Sequence, residues 1–99
     1  MEERAYRQSR LCRVLSNPLA YSIVNLLADN KDIAPSQIAR GVGRSVSRVS
    51  HVLAALRMRE VVRYETNGNQ ASYRLKHPRQ NRQILGALEQ FIDSASPSG

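Results

Sequence analysis

Residues 46–51 read Val-Ser-Arg-Val-Ser-His and gather two hydroxyls, a guanidinium and an imidazole. Wound at 100° per residue, Val46, Val49, Val52, Leu53 and Leu56 fall within about 120° and form a face for a core. The opposite face carries Ser47, His51 and Met58, with Arg44 and Arg48 on its flank. Its side chains are mostly small or polar, and none is acidic. Such groups bond to base edges and phosphates. A guanidinium can pair bidentately with guanine, and the free N–H groups of a helix N-terminus attract phosphate. The spacing therefore suggests a helix that lies in a groove of double-stranded DNA. The competing reading is a solvated face on a protein-interaction domain.

Catalysis finds little support. Ser50 and His51 adjoin in sequence, but neighbouring helical residues point about 100° apart. His51 and His77 are far apart in the chain, Cys12 has no evident histidine partner, and no glycine-rich phosphate loop of recognised spacing occurs. No helix holds two cysteine or histidine ligands, so no metal or cofactor site is assigned. The 99 residues carry a net charge of +7, from 13 arginines and 2 lysines against 8 acids. That balance favours an anionic partner, and the arginine excess favours planar recognition of phosphates and bases. One cysteine excludes an internal disulfide. No apolar run reaches the ~18–20 residues of a membrane span, and MEERAYRQSR has no apolar signal core. A soluble, cytoplasmic, nucleoid-associated protein with no membrane partner is expected.

Around the reading helix the elements follow from local signals. Residues 3–15 permit a helix with a thin apolar stripe of Tyr6, Leu11, Val14 and Leu15. Asn17-Pro18 supplies an N-cap and an N1 proline, and Leu19, Ile23, Leu26 and Leu27 predict a helix over 18–29. Pro35 opens a short helix with Ile38 and Ala39 inward, although Ala34 is a poor cap. Gly41-Val42-Gly43 ends it, and two glycines permit a tight turn into the next helix. Ser45 caps the helix at 45–58. VVRYET, NGNQ and ASYRL then predict a hairpin with strands at 61–66 and 71–75. Pro78 precedes a last helix with an apolar stripe of Ile84, Leu85, Leu88, Phe91 and Ile92. The tail at 94–99 reads as disordered.

The expected order is α-α-α-α-β-β-α, mainly α with a small β-hairpin: a winged helix-turn-helix over residues 1–93. Arg44, Ser45, Ser47, Arg48, Ser50 and His51 are the candidate DNA contacts on the helix, and Arg63, Asn69 and Gln70 those on the wing. Asn69 and Gln70 could reach a minor groove, where amides read acceptors. The outer helices are more apolar than a small helix-turn-helix needs. Leu11, Val14, Leu15, Leu85, Leu88, Phe91 and Ile92 are thus candidates for a homodimer interface. The alternative is that both helices fold only onto their own core.

LSNPLAYSIVNLLADN and VSHVLAALRMREVVRYETNGNQASYRL resemble the ArsR/SmtB family of small bacterial and archaeal winged-helix repressors. The likeness covers most of residues 11–93. Val49, Ser50, His51, Leu53, Leu56, Arg57, Val61, Val62, Gly68, Tyr73 and Leu75 match the family's pattern. The resemblance implies a homodimer built from the first and last helices. It also implies operator binding by the helix at 45–58 and the wing, with Ser47, Arg48, Ser50 and His51 facing DNA. There are departures. PSQIARG has none of the cysteines of the family's metal sensors, and RQILGALEQFIDS has Glu89 and Asp93 but no histidine. Glu60 stands where many members have glycine, and Asn69 and Gln70 stand where a basic wing tip is usual. A protein-interaction module and a regulator switched by oxidation of Cys12 remain the alternatives. The sequence does not identify a small-molecule effector; such a ligand would have to bind between the helices or at the dimer seam.

Overall fold

Asn17 opens a helix as its sequence predicts. In the computed structural model, which describes residues 2–95, its side-chain oxygen accepts from the N–H groups of Leu19 at 2.9 Å and Ala20 at 3.1 Å. Two of the helix's four unpaired donors are thereby satisfied. The elements are α1 (Glu3–Leu15), α2 (Pro18–Asp29), α3 (Pro35–Val42), α4 (Val46–Met58), β1 (Val62–Asn67), β2 (Gln70–Leu75) and α5 (Pro78–Ala95). This is the order expected of a winged helix-turn-helix. No single described helix is long and apolar enough to cross a membrane.

The core lies where α2, α3 and α4 meet. Ile23 and Val24 of α2, Ile38 of α3, and Val49, Leu53 and Leu56 of α4 are fully buried. Each such aliphatic side chain contributes roughly 1.5–3 kcal/mol by leaving water. Val61, Val62 and Leu75 close the core from the hairpin, and Leu85 closes it from α5. Leu11, Val14 and Leu15 of α1 pack against its edge and are half-buried.

The hairpin is antiparallel, with Val62 opposite Leu75 and Asn67 opposite Gln70. Its loop is Gly68-Asn69, and Gly68 has a φ of +65°, a conformation that glycine adopts without strain. The strands are therefore shifted from the expected 61–66 and 71–75: Val61 lies before β1, while Asn67 and Gln70 join the ladder. Ile33, in the loop before α3, exchanges two backbone hydrogen bonds with Tyr73, at 3.0 and 2.9 Å. This third partner for β2 ties the wing to the helix-turn-helix, and no sequence signal announces it.

Several expectations are corrected. Val46 is 47% exposed although it shares the apolar arc of α4. It sits in the first turn, where a side chain leans back over the preceding loop instead of onto the core. Leu19, Leu26 and Val52 are half-buried. Gly41 lies inside α3, not in the turn, and brings the helix close to Leu26 of α2. Gly43 alone makes the turn, with a φ of +68° and its N–H donated to the carbonyl of Ala39. Tyr6 is exposed and stacks on Arg10 of its own helix. Helix α5 includes Ser94 and Ala95, both expected in the tail, because no breaker precedes Pro97. The remaining tail, 96–99, lies outside the described residues.

Candidate nucleic-acid interface

The N-terminal half of α4 is held at both ends and left bare between. Ser45 Oγ accepts from the N–H of Arg48 at 3.1 Å, which fixes the first turn. At the other end the chain reverses through Glu60, whose φ is +60°. Val61 N–H donates to Leu56 O at 3.0 Å and Glu60 N–H to Arg57 O at 3.0 Å. This is a Schellman end, with Val61 and Leu56 packed together. Here the family's usual glycine meets its physical reason, a left-handed backbone at a residue that in this chain is glutamate. Glu60 also pairs with Lys76 of the wing side at 2.7 Å. The lysine's hydrogen bond and charge hold the Glu60 carboxyl below its usual range.

Between those ends, Ser47, Arg48, Ser50 and His51 are all placed on the first two turns of α4. Ser47, Arg48, Ser50 and His51 are exposed, as are Arg44 and Ser45. Ser45, Ser47, Arg48 and His51 line one groove together with Asn17, Leu19 and Val52. In the sequence Asn17 carries a capping signal only, and the approach of the α2 N-terminus to α4 is tertiary. Arg44 lies outside that groove and donates from Nη1 to the carbonyl of Gly43 at 3.1 Å.

Arg57 joins the reading helix to the wing. Its guanidinium carbon lies 4.8 Å from the centroid of the Tyr64 ring. Tyr64 and its cross-strand partner Tyr73 meet edge to face, 5.2 Å apart. Burial pushes the Tyr73 hydroxyl's pKa up. These aromatics share the hairpin face of Val62 and Leu75, which is the core side. The opposite face carries Arg63 and Glu65, with Arg74 opposite Arg63. Arg74 pairs diagonally with Glu65. Among the described residues Arg63 makes no ion pair, and it projects from the outer face. Asn69 and Gln70 are exposed at the tip.

The candidate dimer residues divide. Leu88, Phe91 and Ile92 are 43%, 71% and 61% exposed on α5. Leu85 is buried in its own core, with little surface left for a partner, because it faces α2 on the inner side of α5. Leu11, Val14 and Leu15 are shared between core and surface. Among the described residues no three of His, Cys, Asp and Glu gather closely enough to hold a metal ion. Cys12 is exposed on α1.

Solved structures share this arrangement. The homodimeric winged helix-turn-helix DNA-binding domain Mb0332 from Mycobacterium bovis, a possible ArsR-family transcriptional regulator, is 20% identical. The match covers 98% of this chain and 92% of that one, with a TM-score of 0.81. The transcriptional repressor BigR from Xylella fastidiosa is 26% identical over 93% of this chain and 92% of its own, with a TM-score of 0.80. The cadmium metal-sensor CMTR from Mycobacterium tuberculosis is 32% identical over 92% of this chain and 96% of its own, with a TM-score of 0.70. These neighbours are regulators and not enzymes. No protein-family model and no curated protein matches the chain.

Proposed function

Since the chain belongs to the ArsR/SmtB family of winged-helix transcriptional regulators, we propose that it binds a palindromic operator as a homodimer and represses transcription. It would act in the cytoplasm, on the nucleoid, as one winged domain. The observation that carries this reading is the exposed, acid-free run of Ser47, Arg48, Ser50 and His51 on the first two turns of α4. Helix-turn-helix proteins read base edges with that part of the second helix. Arg48 is the candidate for a bidentate guanine contact, and Ser47, Ser50 and His51 for bases or flanking phosphates. Arg44, Ser45 and Arg63 are the candidates for phosphate, and Asn69 and Gln70 for the minor groove beyond.

The homodimer is supported by the exposed Leu88, Phe91 and Ile92, with Leu11, Val14 and Leu15 at the margin. Two-fold pairing would set the reading helices about one turn of DNA apart, ~34 Å. CMTR is a cadmium sensor, but no metal-binding cluster is found among the described residues of this chain, and metal sensing is not carried across.

Selection of binding sites from random duplex DNA, at near-physiological salt, tests the proposal. A two-fold symmetric motif is expected for the native protein. Arg48→Ala should relax one position of that motif at about 1–3 kcal/mol, and His51→Ala should weaken or relax it. A flat selection, alike for native protein and variants, would overturn base reading and point to a protein partner.

A further inference from the structure

The DNA-facing surface does not end at α4. A second groove opens beside the first, lined by Arg10 and Arg13 of α1, Asn17, His51 and Arg59. The two grooves share Asn17, His51 and Val52, so one continuous channel runs from Ser45 to Arg59 with His51 between. We propose that Arg10, Arg13 and Arg59 form a clamp for the DNA backbone that holds phosphate next to the reading helix. This deepens the DNA-binding reading above and rests on it.

Three observations support the clamp. No carboxylate lies among the described residues lining this groove, and Arg10, Arg13 and Arg59 make no ion pair among the described residues. Arginines that line one groove repel each other, and an anion between them relieves that repulsion. The carboxylates of Glu2, Glu3 and Glu60 line the adjoining groove, which Arg10 and Arg59 also border, and not this one. The chemistry of the site is also matched to phosphate, since the planar fork of arginine binds phosphate bidentately. Next, Arg10 is held in place. Its Nη1 donates to Tyr6 Oη at 2.7 Å and its guanidinium carbon lies 5.6 Å from the Tyr6 ring centroid. An arginine already ordered loses less side-chain freedom on binding.

The third observation is position. The N-terminus of the 12-residue helix α2 opens at Asn17, between the grooves, and adds its partial positive charge there. When a helix lies in the major groove, the elements at its side face the bordering phosphates. Helix α1 stands at that side of α4, along His51 and Ala55. The groove adjoins the reading face through Asn17, His51 and Val52, which suits a continuous backbone better than a small enclosed anion.

The salt dependence of binding tests the clamp. Fluorescence anisotropy would follow the native protein on its selected duplex and on a scrambled duplex, from low to moderate salt. Arg10→Gln/Arg13→Gln and Arg59→Gln are compared with Arg10→Lys/Arg13→Lys and with Arg48→Ala. Circular dichroism and sedimentation check that each variant keeps its fold and assembly. Each phosphate no longer neutralised lowers the slope of log K against log salt by about 0.9. A drop of about 1–2 is expected for the double glutamine variant and about 1 for Arg59→Gln, with the preference for selected over scrambled DNA unchanged. The lysine pair should keep most of the native slope.

A native slope in both glutamine variants overturns the clamp while the DNA-binding reading stands. A changed preference overturns it as well, since these residues would then touch bases. Should Arg10→Gln/Arg13→Gln disturb assembly, Arg59→Gln, outside α1, decides the same question. Failure of the native protein to bind any duplex overturns the underlying reading, and the clamp with it.

Discussion

At the scale of single residues, two positions show how backbone geometry constrains chemistry. Gly43 turns α3 into α4 with a φ of +68°, and no atom lies within 4 Å of where its Cβ would stand. Gly43→Ala is thus expected to destabilise by about 1 kcal/mol through the backbone alone, measured by urea unfolding. Glu60 occupies the same left-handed region at the end of α4. Glu60→Gly and Glu60→Ala both remove the pair with Lys76, and only the glycine relieves the backbone. The glycine variant should melt several degrees above the alanine variant. The Lys76 pair carries its own signature. A carboxyl held below its usual range stabilises the fold above the ordinary carboxylate pKa, and that contribution is lost as pH falls through the depressed value. Lys76→Met should therefore melt slightly below the native protein at neutral pH, with the gap closing in acid.

At the scale of elements, the wing's pose is set by contacts that span the chain. Ile33 pairs with Tyr73, and Arg57 of α4 covers Tyr64 of β1. The hairpin is therefore anchored at both strands, even though a two-stranded hairpin alone is marginal in water. Arg57→Ala is expected to destabilise by about 0.5–1 kcal/mol, the scale of an exposed cation–π contact. It should also speed amide hydrogen exchange in β1 more than in α2. Equal acceleration in both elements would show that Arg57 supports the whole core and not the wing. Helix α5 is tied down by Leu85 and by Arg82, which donates to the carbonyl of Ala28 at 3.1 Å. Buried Asn81 donates to the carbonyl of His77 at 2.8 Å and fixes its first turn.

At the scale of the whole molecule, the charge of +7 and the exposed apolar side chains of α5 bear on assembly and DNA binding together. Exposed Leu88, Phe91 and Ile92 form an apolar patch of the kind that a second copy covers. Phe91→Glu should leave the monomer folded and shift sedimentation from dimer to monomer. Affinity for a palindromic duplex should then fall by about 10²-fold or more, because two linked half-sites become one. Binding to a single half-site should change little. A Phe91→Glu protein that remains dimeric would place the interface elsewhere.

The sequence by itself determined what local physics governs. Asn17-Pro18 starts α2, the aliphatic arc of Val49, Leu53 and Leu56 orients α4, and Asn67-Gly68 reverses the hairpin. Each outcome depends on residues a few positions apart, whose capping, periodicity and turn preferences act before any distant segment arrives. Ser47, Arg48 and His51 were legible for the same reason, since a buried arc leaves its opposite face in water. Only the tertiary structure decided the exposure of Val46, the burial of Leu85, the Ile33–Tyr73 bridge and the lining of one groove by Arg10, Arg13 and Arg59. Those features depend on how close separate elements pack, and sequence spacing carries no measure of that distance.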